Sequence, residues 1–256
     1  MTMTVTQVLD AETVETRFLD ALQTGYVNMH YQPKIDLATG RLVGAEALVR
    51  WDDAGAMQAP DSYLPILSTD ALAALAQFGV HQVGTDILEF GLNVPIAVNI
   101  DPSALERASA LVSLVVNVTA SLGLDPQMLV LEITEPTELL HRDFTRRKLH
   151  ELRDMGCRIS IDDFGTGHAN FLRVRDLPID ELKIDRSISG VLLSEPDMLM
   201  LTRNIIALAR RLGVACVAEG IEDEPTLVQL RELGCTYGQG FHIGLPMPVE
   251  QFALLG

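Results

Sequence analysis

The chain predicts an α/β barrel of the TIM type in which an antiparallel hairpin replaces the first strand. Three observations carry this. Short apolar runs alternate with helix-like stretches along most of the length. Seven of those runs end in a metal-ligating or proton-handling side chain: Glu46, Asn99, Glu132, Asp162 with Asp163, Lys183, Glu219 and Gln239. The length, 256 residues, suits one large α/β domain, and 48% hydrophobic residues with only 5% aromatic ones predict a core of Leu, Val, Ile and Ala. A barrel brings the C-terminal ends of its parallel strands to one face, so residues roughly 20 to 50 apart in sequence meet in one cleft.

Taken in order, residues 1–13 are expected to be a flexible N-terminal segment ahead of, and overlapping, a helical stripe of Val14, Phe18, Leu19, Ala21 and Leu22 in the stretch Ala11 to Gly25. Met29 to Ile35 and Leu42 to Val49 flank Ala38-Thr39-Gly40, a hairpin signal. Asp52 to Tyr63 reads as a loop. Further strands are expected at Ile96–Ile100, Met128–Ile133, Cys157–Ile161, Glu181–Ile184, Val214–Ala218 and Tyr237–Phe241. Leu105 to Leu122 and Asp197 to Leu212 are the clearest helices, the second with Ser194 as its N-cap, Pro196 in its first turn and Gly213 at its end. No Pro-, Gly- or Ser-rich linker and no internal repeat divides the chain, so residues 1–256 are expected to form a single domain.

Five carboxylates, two amides and an amine gather in one cleft, where the carboxylates repel by several kcal/mol unless cations join them, and a divalent metal is the natural counterion. Lys and Arg number 19 against 35 Asp and Glu, a formal charge of −16. That balance excludes broad contact with polymeric nucleic acid or an anionic membrane. It does not exclude a small anionic substrate, because metals and a few cationic side chains reverse the potential inside one pocket. Cys157, Cys216 and Cys235 have neither CxxC spacing nor the density of a disulfide framework, and are expected as reduced core thiols. No apolar run reaches roughly 18 residues and no signal-peptide pattern opens the chain, so the expectation is a soluble, cytoplasmic protein.

Residues His30 to Trp51, HYQPKIDLATGRLVGAEALVRW, contain the triplet Glu46-Ala47-Leu48. Val98-Asn99-Ile100, Leu131-Glu132-Ile133-Thr134-Glu135 and Asp162-Asp163-Phe164-Gly165-Thr166-Gly167 follow, then Leu182-Lys183-Ile184-Asp185, Ala218-Glu219-Gly220-Ile221-Glu222 and Gln239-Gly240-Phe241. In order and spacing this set resembles the EAL-domain family of cyclic di-GMP phosphodiesterases, over roughly residues 14 to 250. His141-Arg142-Asp143 and Asp163-Phe164-Gly165 imitate protein-kinase motifs, but Lys148 stands where a kinase needs its metal-binding Asn, and no Gly-rich loop precedes them.

The resemblance implies a two-metal hydrolase that opens cyclic di-GMP to linear pGpG. Glu46, Asn99, Glu132 and Asp162 would hold one Mg²⁺ or Mn²⁺, and Asp162, Asp163 and Glu219 the second. Oxygen donors suit these ions, and a shared carboxylate can bridge two of them. Ca²⁺, with longer and looser coordination, is expected to support binding and to inhibit turnover. Lys183 would orient or deprotonate the nucleophilic water, with Glu219 and Gln239 helping to position it. Burial favours neutral Lys183 and neighbouring carboxylates favour the charged form, and a structural ion pair is its other reading. Gln32, Leu48, Arg50 and Phe241 would contact substrate, although Leu48 and Phe241 are ordinary core residues in many folds.

Glu135, Gly165, Thr166 and Gly167 correspond to a loop that couples dimerisation to metal binding, so a homodimer, and a regulatory protein partner, are implied. His168-Ala169-Asn170 departs from the family's usual Tyr-Ser-Ser, Asp101 stands where a Ser is common, and the loop after Trp51 lacks the usual His-Pro. No implied metal ligand is lost. The reading from another class is a cyclic di-GMP receptor or interaction module of the same fold with little or no turnover, since fold does not imply function.

Overall fold

The structure is a computed structural model, and it describes residues 10–101, 108–134, 143–166 and 174–256. Nine strands are defined among these residues: β1 Val27–Asp36, β2 Leu42–Asp53, β3 Ala56–Gln58, β4 Ile96–Ile100, β5 Leu129–Thr134, β6 Arg158–Phe164, β7 Glu181–Ile184, β8 Ala215–Ala218 and β9 Tyr237–Gln239. Eight of them close a ring in the order β1-β9-β8-β7-β6-β5-β4-β2, and β2 pairs back onto β1. From β2 through β4 to β9 the neighbours are parallel, while β1 runs antiparallel to both β2 and β9. This is the expected TIM-like barrel with its reversed first strand.

The hairpin forms because Asp36 organises its own turn. Its Oδ1 accepts from the Thr39 amide at 2.8 Å and the Thr39 hydroxyl at 2.9 Å, and the Gly40 amide donates back to the Asp36 carbonyl at 2.8 Å.

Parallel strands covered by helices usually read as continuous apolar runs. Here they do not, because the two faces of the sheet differ. Ile96, Val98, Ile100, Leu131, Ile133, Ile159, Ile161, Leu182 and Ile184 belong to the main apolar core. The intervening positions include Glu132, Ser160, Asp162, Glu181 and Lys183, all buried. These face the lumen, where Lys34 of β1 bonds Glu181 of β7 at 2.6 Å and Lys183 meets carboxylates from other strands. A second apolar cluster packs the helix Ala11–Thr24 onto the end of β2 through Phe18, Trp51 and Tyr63, with Phe18 and Trp51 edge to face at 5.4 Å.

Three expectations are corrected. Residues 11–13 are the first turn of a helix, not flexible chain, because Asp10 Oδ1 accepts from the Thr13 amide at 2.8 Å and caps it. Asp52 to Tyr63 is not a plain loop. Asp52 Oδ1 accepts from the Gly55 amide at 2.7 Å and closes a turn that folds β3 onto β2, and Pro60–Tyr63 is a short helix. Ser194 does not cap the helix Pro196–Leu212: Glu195 holds the N-cap position without a side-chain bond, Pro196 presets the first turn, and the Ser194 hydroxyl bonds the Val191 carbonyl at 3.0 Å. Gly213 ends that helix in the left-handed conformation, as expected. The helix expected from Leu105 spans Ala108–Leu122 in the described residues. The three cysteines are free and buried. No helix among the described residues is long and apolar enough to cross a membrane.

Candidate active site

The strand ends deliver their polar side chains to one place. Lys183, 2% exposed, lies at the centre: its Nζ is 3.3 Å from Glu46 Oε2 and 3.2 Å from Asp162 Oδ1, and closer still to Glu132 and Glu219. One ammonium therefore serves carboxylates from β2, β5, β6 and the residue after β8. Glu46 is held from two more sides. Asn99 Nδ2 donates to its Oε1 at 2.8 Å, and Gln239 Nε2 donates to its Oε2 at 2.7 Å. Gln239 also donates to Gln32 Oε1 at 3.0 Å, and Gln32 Nε2 donates to the Gly244 carbonyl at 3.0 Å.

Adjacent residues of a regular strand point to opposite faces, so Asp162 and Asp163 should not share a site. A break in the strand reconciles them. The β6–β7 register shifts between Ile161 and Phe164, and Asp163 takes φ 54°, a left-handed conformation that costs a non-glycine residue roughly 1–2 kcal/mol. Both carboxylates then come within reach of Glu219. Gly165, with φ 105°, completes the turn. A Cβ there would lie 2.7 Å from Ile188 Cδ1, so a side chain would strain the backbone and push the Ile188 methyl aside. The Thr166 hydroxyl donates to the Asp163 carbonyl at 3.0 Å.

Electrostatics follow from this crowding. Burial resists ionisation of Glu46, but the Lys183 ammonium and the Asn99 and Gln239 amides overcome it and leave the carboxyl below its usual range. Asp162 goes the other way. Burial first, then the negative charge of Glu219, Glu46 and Asp163, pushes it up to about 9. Burial also raises Glu219, with Glu46 and Asp163 adding to the shift and Lys183 opposing it. For Lys183 burial favours the neutral amine, yet Glu219 and Glu46 outweigh it and hold the group charged. Of the two opposing effects weighed from the sequence, the neighbouring carboxylates prevail and shift Lys183 toward its charged form.

A single ammonium among five carboxylates leaves the cluster short of positive charge, and Asp162 makes up part of the deficit by keeping a proton. Hard divalent cations fit such a donor set. Two groups of oxygens are close enough to share one: Glu46, Glu132 and Glu219, and Asp162, Asp163 and Glu219. The second coincides with the expected second-metal set. The first joins Glu46 and Glu132 of the expected first-metal set to Glu219, and Asn99 and Asp162 of that set lie beside it, Asn99 donating to Glu46 at 2.8 Å and Asp162 3.2 Å from the Lys183 Nζ that also meets Glu46.

Above the cluster opens a cavity of about 720 Å³ lined by Gln32, Glu46, Leu48, Asp162, Asp163, Thr166, Glu219, Gln239 and Phe241. Phe241 is 62% exposed, an apolar ring offered to solvent beside the acids. Arg50 does not line this cavity. It is half-buried, its Nη1 donates to the Val49 carbonyl at 2.8 Å, and burial lowers its pKa. Glu135 and Gly167 lie outside the described residues. Seven further lining residues had no assigned role: Asp61, Asp185, Arg186, Ser187, Gly220, Glu222 and Gly240. Asp185 and Glu222 end motifs already quoted and could have been read from them; Asp61, Arg186 and Ser187 carry no sequence signal of their own.

Comparison with known proteins bears on this arrangement. The family model described as the EAL domain matches residues 15–246. The bifunctional diguanylate cyclase/cyclic di-GMP phosphodiesterase MucR of Pseudomonas aeruginosa is 38% identical over 240 residues, covering 90% of this chain and 34% of MucR. The cyclic di-GMP phosphodiesterase RocR of the same organism is 30% identical over 236 residues, covering 90% of this chain and 60% of RocR. The chain thus spans less than two thirds of the length of either relative. A solved structure described as the PaMucR phosphodiesterase in complex with c-di-GMP superposes with a TM-score of 0.81 at 36% identity, covering 89% of this chain and 99% of that one. The chain belongs to the EAL domain family.

Proposed function

We propose that this chain is a metal-dependent cyclic di-GMP phosphodiesterase that opens one phosphodiester of the ring to give linear pGpG. The observation that carries the reading is the convergence of Glu46, Glu132, Asp162, Asp163, Glu219 and Lys183 beneath one open cavity. Two matched relatives, MucR and RocR, are named as cyclic di-GMP phosphodiesterases, which supports the same substrate here.

Glu46, Asn99, Glu132 and Asp162 would hold one divalent cation, and Asp162, Asp163 and Glu219 a second. Bound there, such ions lower the pKa of water and neutralise phosphate charge. The protein supplies the rest. Gln239 ties Glu46 to Gln32, so the floor of the cavity is fixed before substrate arrives. Water adds to phosphorus, the bond from phosphorus to a ribose oxygen breaks, and the proton taken from water ends on that oxygen. Glu219 and Lys183, already in contact, flank the path of that proton. Lys183, whose carboxylate neighbours favour its charged form, would orient the water or take part in that proton's transfer. Leu48 and Phe241 offer apolar surface to guanine, and Arg50, with Nη1 on the Val49 carbonyl, keeps its other guanidinium donors for a phosphate. Incubating the protein with cyclic di-GMP and Mg²⁺ or Mn²⁺ and separating the products tests the proposal. Appearance of pGpG is expected, and binding without product would assign the receptor role instead.

A further inference from the structure

The cavity wall is unbalanced in charge. Seven carboxylates line it, and Arg186 is the one Lys or Arg among its described lining residues. Its side chain is exposed, and among the described residues nothing pairs with its guanidinium. We propose that Arg186 binds the second phosphate of the substrate, the one that is not hydrolysed, and thereby selects cyclic dinucleotides over esters with a single phosphate. This rests on the phosphodiesterase reading above.

A cyclic dinucleotide brings two anionic phosphates into one ring. If the cluster under Glu46 and Asp162 takes one of them, the other must sit elsewhere in the same acidic cavity, where Asp61 and Glu222 repel it. Only a cation on the wall relieves that cost, and the planar guanidinium fork suits phosphate oxygens. Arg50 is a poorer candidate, being outside the lining and already bonded to Val49.

The backbone under Arg186 is fixed while its head is free. Asp185 Oδ1 accepts from the Ser187 amide at 2.9 Å, and the Arg186 carbonyl accepts from the Gly190 amide at 2.9 Å. Gly220, the residue after Glu219, takes φ +62°, and a Cβ there would lie 2.5 Å from Arg186 Cβ. The stem of Arg186 is therefore seated on the turn that carries Glu219. A long side chain anchored so near the reacting centre loses less freedom on binding than one on a loose loop.

The test compares wild type, Arg186→Gln and Arg186→Lys on cyclic di-GMP and on bis(p-nitrophenyl) phosphate, which has one phosphate, in Mn²⁺. For Arg186→Gln the ratio of kcat/KM between the two substrates is expected to fall about tenfold, the size of one charge-assisted hydrogen bond. The loss should appear in KM for cyclic di-GMP with kcat nearly kept, and Arg186→Lys should recover part of it. An unchanged ratio, or equal losses on both substrates, overturns the inference while leaving the phosphodiesterase reading intact. A wild-type protein inert toward cyclic di-GMP but active on the simple ester sinks that reading, and the inference with it.

Discussion

Replacing Lys183 with Met keeps the aliphatic stem and removes the charge on which the metal-free site is centred. At the 3.3 Å separation from Glu46, whose carboxyl stays ionised, the charge pair is worth about 5 kcal/mol at an effective dielectric near 20. Desolvation of the ammonium offsets much of that, and removing one partner of a buried pair typically costs about 3–5 kcal/mol. The urea midpoint of Lys183→Met in EDTA should drop by that equivalent. Saturating Mn²⁺ should recover much of the loss, since a ligand at 100 times its Kd adds about 2.7 kcal/mol and the variant offers the cation the same oxygens. Turnover should nevertheless stay low. Losing a group that handles a proton or positions water lowers kcat by about 10² or more, with substrate affinity largely kept. Denaturation with and without EDTA, beside single-turnover rates and Kd for cyclic di-GMP, reads both effects. A variant as stable as wild type in EDTA, or one that loses affinity and rate in equal measure, would refute the reasoning.

Two further outcomes follow from buried groups. Lys34 and Glu181 form an isolated ion pair inside the barrel at 2.6 Å, both buried, so Lys34→Met should cost about 3–5 kcal/mol by stranding the carboxylate, and Lys34→Met with Glu181→Met should restore most of it; a double variant as unstable as the single one would deny the pairing. Asp162, near 9 in the metal-free fold against about 3.9 for free aspartate, keeps a proton that the unfolded chain releases. Its contribution to metal-free stability is thus full below about pH 4 and falls as pH rises toward 9. Because a cation needs the ionised carboxylate, binding Mg²⁺ at pH 7 should release close to one proton, measurable by calorimetry in buffers of different ionisation enthalpy, and zero release would contradict this.

The barrel was readable because each parallel strand announces itself twice, by an apolar run and by the polar residue that ends it. Val98-Asn99 and Leu182-Lys183 are examples, and their strands span Ile96–Ile100 and Glu181–Ile184 as expected. What was not readable depends on partners far away in the chain. Lys34 and Glu181 are 147 residues apart, so no local pattern marks their pair. Asp163 looks like a strand residue facing away from Asp162, and only the register shift against β7 turns it inward. Ala56-Met57-Gln58 has no alternation at all, and becomes a strand because Asp52 closes the turn before it. Arg186 belongs to no motif, and its significance comes from the charge of the wall around it.

The most direct test of the central claim is the reaction in ¹⁸O-enriched water. Purified protein, cyclic di-GMP and Mn²⁺ are incubated, and the nucleotides are resolved by chromatography and mass spectrometry. Hydrolysis at one phosphodiester predicts pGpG carrying a single ¹⁸O on its terminal phosphate. Recovery of unlabelled, intact cyclic di-GMP under conditions where the protein binds it would contradict the account.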